Sequence, residues 1–210
     1  MLANVSCRVL TNSSEKEYAA GIVYKKYSEE GYIHDGEKKS SGIASYIKEG
    51  TANTFGVFAG GEMYGTLSLV FDGERGLPMD LIYKHEVDIL RDAHYKIAEV
   101  VQFALDKDIA EKHLLPPEVP MASIPLFGYL LSHAEKHKID HLCISVNPKH
   151  ATFYTLIGFK KFGEEKHYES VDAPAVAMSF LMKDLHGNSF GKNAITKMIA
   201  TFFNTDDRMV

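Results

Sequence analysis

Two side chains stand where proton chemistry would need them. Glu99 lies inside the run Ile97-Ala98-Glu99-Val100-Val101-Gln102-Phe103-Ala104-Leu105, which is otherwise almost wholly apolar. Alternation along an extended strand puts Ile97, Glu99, Val101 and Phe103 on one face. A carboxylate among such neighbours is costly to ionise, and the same burial raises its pKa towards that of a useful general base. The competing reading is an edge-strand glutamate facing solvent, or a structural ion pair with Arg91 or a lysine. Tyr154 follows an apolar strand and the turn Asn147-Pro148-Lys149-His150. A phenol, with a pKa near 10, can give a proton to a leaving group at neutral pH and recover it. Its competing reading is a core tyrosine whose ring packs a helix on a sheet. Asp72 and Asp80 flank the turn-rich crossing Gly73 to Pro78. They suit either a charge-assisted contact to a ligand ammonium or turn and N-cap duty. Asn147 fits a ligand amide or the cap of the helix that Pro148 opens. His150 fits a proton shuttle or an ordinary exposed histidine.

Those residues need a scaffold, and the chain spells one. Val5 to Leu10 reads as a strand. Ser13-Ser14-Glu15-Lys16-Glu17 opens a helix that runs to about Glu30 and stops at Gly31. The polar stretch His34 to Ser45 reads as a loop or short helix. Thr54 to Ala59 and Met63 to Phe71 form a hairpin across Gly60-Gly61. Lys84 to Tyr95 is helical, and Ile97 to Leu105 is a central strand. A long connection with Pro116, Pro117 and Pro120 leads to a helix from about Ala122 to His137. Leu142 to Val146 is a strand, followed by a short helix carrying Phe153-Tyr154, the turn Ile157-Gly158-Phe159 and two further strands. After Asp184 comes one amphipathic helix with Ile195, Met198, Ile199 and Phe202 on one face. The expected fold class is mixed α/β (α+β): a largely antiparallel sheet with helices on both faces. Residues 1–184 form one domain and 185–210 an appended helix.

Bulk properties exclude several functions. At 210 residues, 45% hydrophobic and 24% charged, the chain can bury a sizeable core. A net charge of −5 argues against nucleic acid as a partner and against general attraction to anionic membranes. Cys7 and Cys143 both sit in apolar runs and read as buried reduced thiols, not a disulfide framework. The ten histidines show no HExxH spacing and there is no CxxC, so no metal site is expected. No apolar run reaches the about 18 residues of a membrane span, and no signal-like segment opens the sequence. A cytoplasmic protein is expected.

The block Asn147 to Phe180, in the order strand, helix, Ile157-Gly158-Phe159, strand, strand, resembles the C-terminal half of a GNAT acyltransferase. Three segments narrow the likeness. They are Gly76-Leu77-Pro78-Met79-Asp80 with Glu86 to Arg91, then Ala98 to Ala104, then the block itself with Phe153-Tyr154 and Ala173-Pro174-Ala175-Val176. Together they resemble, over roughly residues 70 to 183, the N-acyl amino acid synthases, relatives of the acyl-homoserine-lactone (autoinducer) synthases. The resemblance implies transfer of a long-chain acyl group from acyl-carrier protein to the amine of an amino acid or similar molecule. It implies no permanently bound cofactor; acyl-phosphopantetheine or acyl-CoA is a co-substrate. It also implies Glu99 as base, Tyr154 as acid, Asp72, Asp80 and Gln102 at the amine, and Phe103, Leu105, Asn147 and His150 at the acyl donor. Glu86 and Arg91 match the family pattern too, and read as surface or packing residues.

Two departures bear on the donor and the acceptor. CoA-dependent relatives carry a glycine-rich turn after the central strand, whose backbone N–H groups grip pyrophosphate. Here residues 106–123 contain no glycine, which favours a carrier-bound donor with its single phosphate. Where the autoinducer synthases have an arginine three residues after the strand glutamate, this chain has Gln102, which brings neither a charge nor a guanidinium fork. An acidic carrier also needs a local basic patch, and Lys149, His150, Lys160, Lys161 and Lys166 are the candidates. The alternatives are a CoA-dependent N-acetyltransferase of a small amine and a non-catalytic acyl- or partner-binding domain.

Overall fold

A computed structural model describes residues 4–32, 52–169, 172–187 and 190–203. The stretch His34 to Ser45 lies outside the described residues. Among the described residues eight strands form one sheet in the order β1-β2-β3-β4-β5-β8-β6, with β7 also pairing with β8. They are β1 (Val5–Val9), β2 (Asn53–Ala59), β3 (Glu62–Phe71), β4 (Ile97–Leu105), β5 (His141–Val146), β6 (Lys160–Lys161), β7 (Lys166–Tyr168) and β8 (Ala173–Leu181). Every pairing is antiparallel except β4 with β5.

Helices cover both faces. On one face α1 (Ser13–Glu29) and α2 (Asp80–Asp92) bury Ala19, Val23, Tyr83 and Val87. On the other lie α3 (Lys107–His113), α4 (Ile124–Lys136), α5 (Ala151–Ile157) and α6 (Ala194–Phe202), over the largest core. Helix α4 contributes Leu126, Phe127, Leu130 and Leu131 to that core. Helix α6 docks on α4, where Gly128 leaves no room for a Cβ beside Phe202 and Ile199. Among the described residues no helix is long and apolar enough to cross a membrane. Both cysteines are buried, and neither is in a disulfide.

Two elements depart from expectation. Helix α2 begins at Asp80, four residues earlier than its apolar pattern. The turn Leu77-Pro78-Met79 already folds into it through backbone bonds from Asp80 to Leu77 and from Tyr83 to Met79. The connection after β4 is not irregular throughout, because Asp106 caps α3 by accepting from the Asp108 and Ile109 amides. Ala110 and Leu114 then anchor that short helix in the core.

Strand β4 is the decisive element. Thr66 pairs with Ala104 and Ser68 with Val101, so Gln102 and Phe103 together face the single residue Leu67. This is a β-bulge, and Gln102 sits at its heart with φ +56. The extra residue reverses the facing of everything after it. Ile97 and Val101 pack with α2, while Phe103 packs against Phe127 on the opposite face, ring centroids 5.3 Å apart. The expectation of one continuous face from Ile97 through Phe103 is therefore corrected. Pairing of β4 with β5 ends at Glu99 and Cys143. Beyond that point the two parallel strands separate.

Candidate active site

The separation of β4 and β5 leaves a cavity of about 610 Å³. Its walls come from both sheet faces: Glu99, Tyr27, Pro78 and Leu81 on the α1/α2 side, and Phe103, Phe153 and Tyr154 on the α4/α5 side. Volume and lining suit an elongated, largely apolar ligand held by a few polar groups. A second cleft of about 560 Å³ lies over Glu86, Lys161, Glu164 and Glu165. It reaches neither Glu99 nor Tyr154.

Glu99 is almost completely buried and accepts one hydrogen bond, 2.8 Å from the Met79 amide. Burial pushes its pKa up to about 8; the Met79 amide opposes the rise and nearby Asp80 adds to it. The sequence left open an ion pair with Arg91, and the structure removes that option. Arg91 grips Asp72 with two bonds, Nε at 2.9 Å and Nη2 at 2.7 Å. It grips Asp80 at 2.7 and 3.0 Å and Asp88 at 2.7 Å. Three carboxylates hold the guanidinium pKa far up, the Asp72 bonds first among them.

This cluster has a positional consequence. Asp80 also accepts from the Leu77 amide at 2.7 Å. A Cβ on Gly76 (φ +68) would fall 2.3 Å from an Asp80 oxygen, so the turn needs glycine there. Asp80 and Arg91 thereby fix the turn that presents the Met79 amide to Glu99. Asp72 and Asp80 do not line the cavity. Both carboxylates are paired with Arg91, 19 and 11 residues away.

Tyr154 lines the cavity from α5, its ring edge-on to Phe127, Phe153 and Phe159. Burial pushes its phenol up. Phe103, Leu105, Asn147 and His150 line the cavity as well. Asn147 caps the turn by accepting from the Lys149 amide at 3.1 Å. His150 is exposed, yet partial desolvation of its ring lowers its pKa. Gln102 lines the cavity, only 6% exposed, with neither amide atom hydrogen-bonded to a described residue. Tyr27, Tyr32, Ser123, Ser145 and Tyr168 also reach it, and the sequence did not single them out. Only their position after folding marks them: Tyr27 and Tyr32 arrive through α1 packing across β3 and β4, far from the motif-bearing segments. The one local signal is Gly31 (φ +74), which ends α1 and turns Tyr32 back over Tyr27 at 5.6 Å.

The proposed basic patch is largely occupied. Lys149 pairs with Glu30, Lys160 with Asp184 and Lys166 with Glu86. The start of α3, directly after β4, offers nothing to a pyrophosphate. The Asp106 carboxylate takes its free amides and Asp108 adds a second charge, both held by Lys25. At α4, Pro125 removes one first-turn donor.

A family model described as N-acyl amino acid synthase FeeM matches residues 18–180. The chain belongs to that family. The structure of FeeM, an N-acyl amino acid synthase from uncultured soil microbes, is 39% identical, with a TM-score of 0.75 over 86% of this chain and 92% of that one. An N-acetyltransferase from Staphylococcus aureus Mu50 shares the fold at 14% identity and a TM-score of 0.54, over 86% of this chain and 99% of that one. An aminoglycoside N(6')acetyltransferase from Legionella pneumophila does so at 14% and 0.56, over 89% and 96%. A comparison with curated protein sequences yields no significant match. This FeeM-family protein is an acyltransferase with the mixed sheet of the GNAT fold.

Proposed function

We propose that this FeeM-family enzyme moves an acyl group from a carrier-bound thioester to the α-amine of an amino acid or a similar small amine. Glu99 takes a proton from the incoming ammonium. The neutral nitrogen attacks the thioester carbonyl carbon, and the tetrahedral intermediate collapses with loss of the sulfur. Tyr154 protonates the departing thiolate and is restored by the second proton of the attacking nitrogen. The observation that carries this reading is the buried Glu99 carboxyl, with no cationic partner among the described residues, in one cavity with Tyr154. A base with a pKa near 8 is matched to an amine substrate close to neutral pH. Tyr154 is a weaker acid for being buried, but a thiolate expelled into the same apolar space is a stronger base for the same reason.

The carrier as donor is supported by the end of β4, where Asp106 and Asp108 stand at the helix start that would face a pyrophosphate. The long apolar wall of Phe103, Leu105 and Phe153 supports an extended acyl chain. Asp72 and Asp80 act through Arg91 on the turn that holds Met79, not on the amine. The test is incubation with hexanoyl, decanoyl and hexadecanoyl thioesters of an acyl carrier protein and a mixture of amino acids, with products read by mass spectrometry. N-acyl amino acids are expected. Their absence across all chain lengths and amines, or strong preference for acyl-CoA, would overturn the corresponding part of the reading.

A further inference from the structure

Gln102 combines three features that ordinary packing removes. Its side chain is more than nine-tenths buried. Among the described residues neither Oε1 nor Nε2 has a hydrogen-bond partner. Its backbone is held in the left-handed region at φ +56, inside a strand. An unmet buried amide and a strained non-glycine residue each weaken a fold, and such strain concentrates at functional sites. A methionine would fill the same space without the first of these costs.

Many donors around the cavity are already engaged. The Met79 amide serves Glu99, the Tyr168 hydroxyl serves the Pro78 carbonyl, and Lys26 and Lys149 share Glu30. Among the described wall residues the buried, unpartnered polar atoms are those of Gln102, Ser145 and Tyr32. Only Gln102 is on the strand that carries Glu99, three residues on, just past the point where β4 and β5 part. The bulge places Gln102 in the cavity wall at that point. We propose that Gln102 is a catalytic residue: its Nε2–H donates to the thioester carbonyl oxygen and stabilises the oxyanion of the tetrahedral intermediate.

This assignment rests on the acyl-transfer reading above. As the nitrogen lone pair forms the new C–N bond, the C=O π pair moves onto oxygen, facing the Gln102 amide. Collapse returns that pair, breaks the C–S bond and sends the sulfur out as thiolate. A neutral amide serves this step without placing a cation near Glu99. A charged donor at residue 102 would lower the Glu99 pKa and weaken it as a base. A donor fixed in a water-poor cavity is worth far more than one in water, because it needs no reorganisation when charge appears.

The test uses Gln102→Met and Gln102→Asn with the carrier thioester and amino acid that give most product in the wild type. Gln102→Met should lower kcat by about 100- to 1,000-fold, with KM for both substrates within about threefold. Its unfolding midpoint should equal or exceed that of the wild type, since two unpaired buried polar atoms are gone. Gln102→Asn keeps a donor and tolerates positive φ, so it should retain more activity than Gln102→Met. Unchanged kcat in Gln102→Met would overturn the assignment. So would a raised KM at constant kcat, which marks a ground-state contact, or an activity loss matched by a lowered midpoint. A wild-type enzyme that forms no N-acyl product overturns the acyl-transfer reading and this assignment with it.

Discussion

Replacing Glu99 by glutamine should make the protein's stability less sensitive to alkali. The Glu99 carboxyl moves from an ordinary value of 4.5 to about 8 on folding, chiefly through desolvation. Its folded pKa lies above its unfolded one, so the native state holds the proton more tightly. The stabilisation this gives is complete below about pH 4.5 and is lost as pH rises through about 8. At about 1.4 kcal/mol for each tenfold change in proton affinity, the whole effect is about 5 kcal/mol, of which about 4 falls between about pH 5 and pH 9. That is a large share of the 5–15 kcal/mol that holds a typical domain together. Glutamine keeps the shape and can still accept from the Met79 amide, but it cannot ionise. The two proteins should therefore be close in stability at pH 5, with the variant pulling ahead as pH rises. Denaturant unfolding of both proteins at intervals across this range measures the difference, and titrations elsewhere cancel between them. Curves that stay parallel within about 0.5 kcal/mol would refute a raised, buried carboxyl at residue 99. They would also remove the physical basis for using it as a base.

The other expectations follow from the same geometry. Under the proposed mechanism kcat/KM of the wild type should rise with pH and level off above about pH 8; a flat profile would dissociate Glu99 from the rate. Tyr154→Phe keeps the ring against Phe127 and Phe159, so kcat should fall by about 100-fold or more with little change in melting temperature. Arg91→Met leaves Asp72, Asp80 and Asp88 facing one another; calorimetry should show a loss of about 2–4 kcal/mol, and activity should fall as the Met79 turn loosens. Phe153→Ala enlarges the apolar wall, and product profiles by mass spectrometry should move to longer acyl chains.

The sequence exposed what depends on near neighbours. Strand β4 spans Ile97–Leu105 as its composition indicates, α1 starts at Ser13 under the Asn12 cap, and the Gly60-Gly61 hairpin is present. Glu99 stood out because a carboxylate in an apolar strand is anomalous by itself. What stayed hidden depends on partners distant in the chain. A bulge is a relation between two strands, and nothing within β4 says that Gln102 and Phe103 share one opposite residue. Asp72 and Asp80 could be seen as acidic turn residues. That Arg91 consumes both charges emerges only when α2 folds back over the crossing. Tyr27 and Tyr32 carry no local signature and reach the cavity by docking of α1.

The bulge at Gln102 links these features causally. An unbroken β4 would keep Phe103 on the face of Glu99. One extra residue does the reverse. It turns Phe103 towards Phe127, whose ring also meets Phe153, and there it lines an apolar wall. It leaves Glu99 on the other face under the Met79 amide. The gap between β4 and β5 then joins a polar end, where a proton can be taken, to an apolar end, where a chain can lie. The Asp72–Arg91–Asp80 cluster fixes the turn at the polar end. A strained strand residue and a buried carboxyl with no cationic partner among the described residues, both costs to stability, stand at the junction. Removing either should stabilise the fold and remove the chemistry.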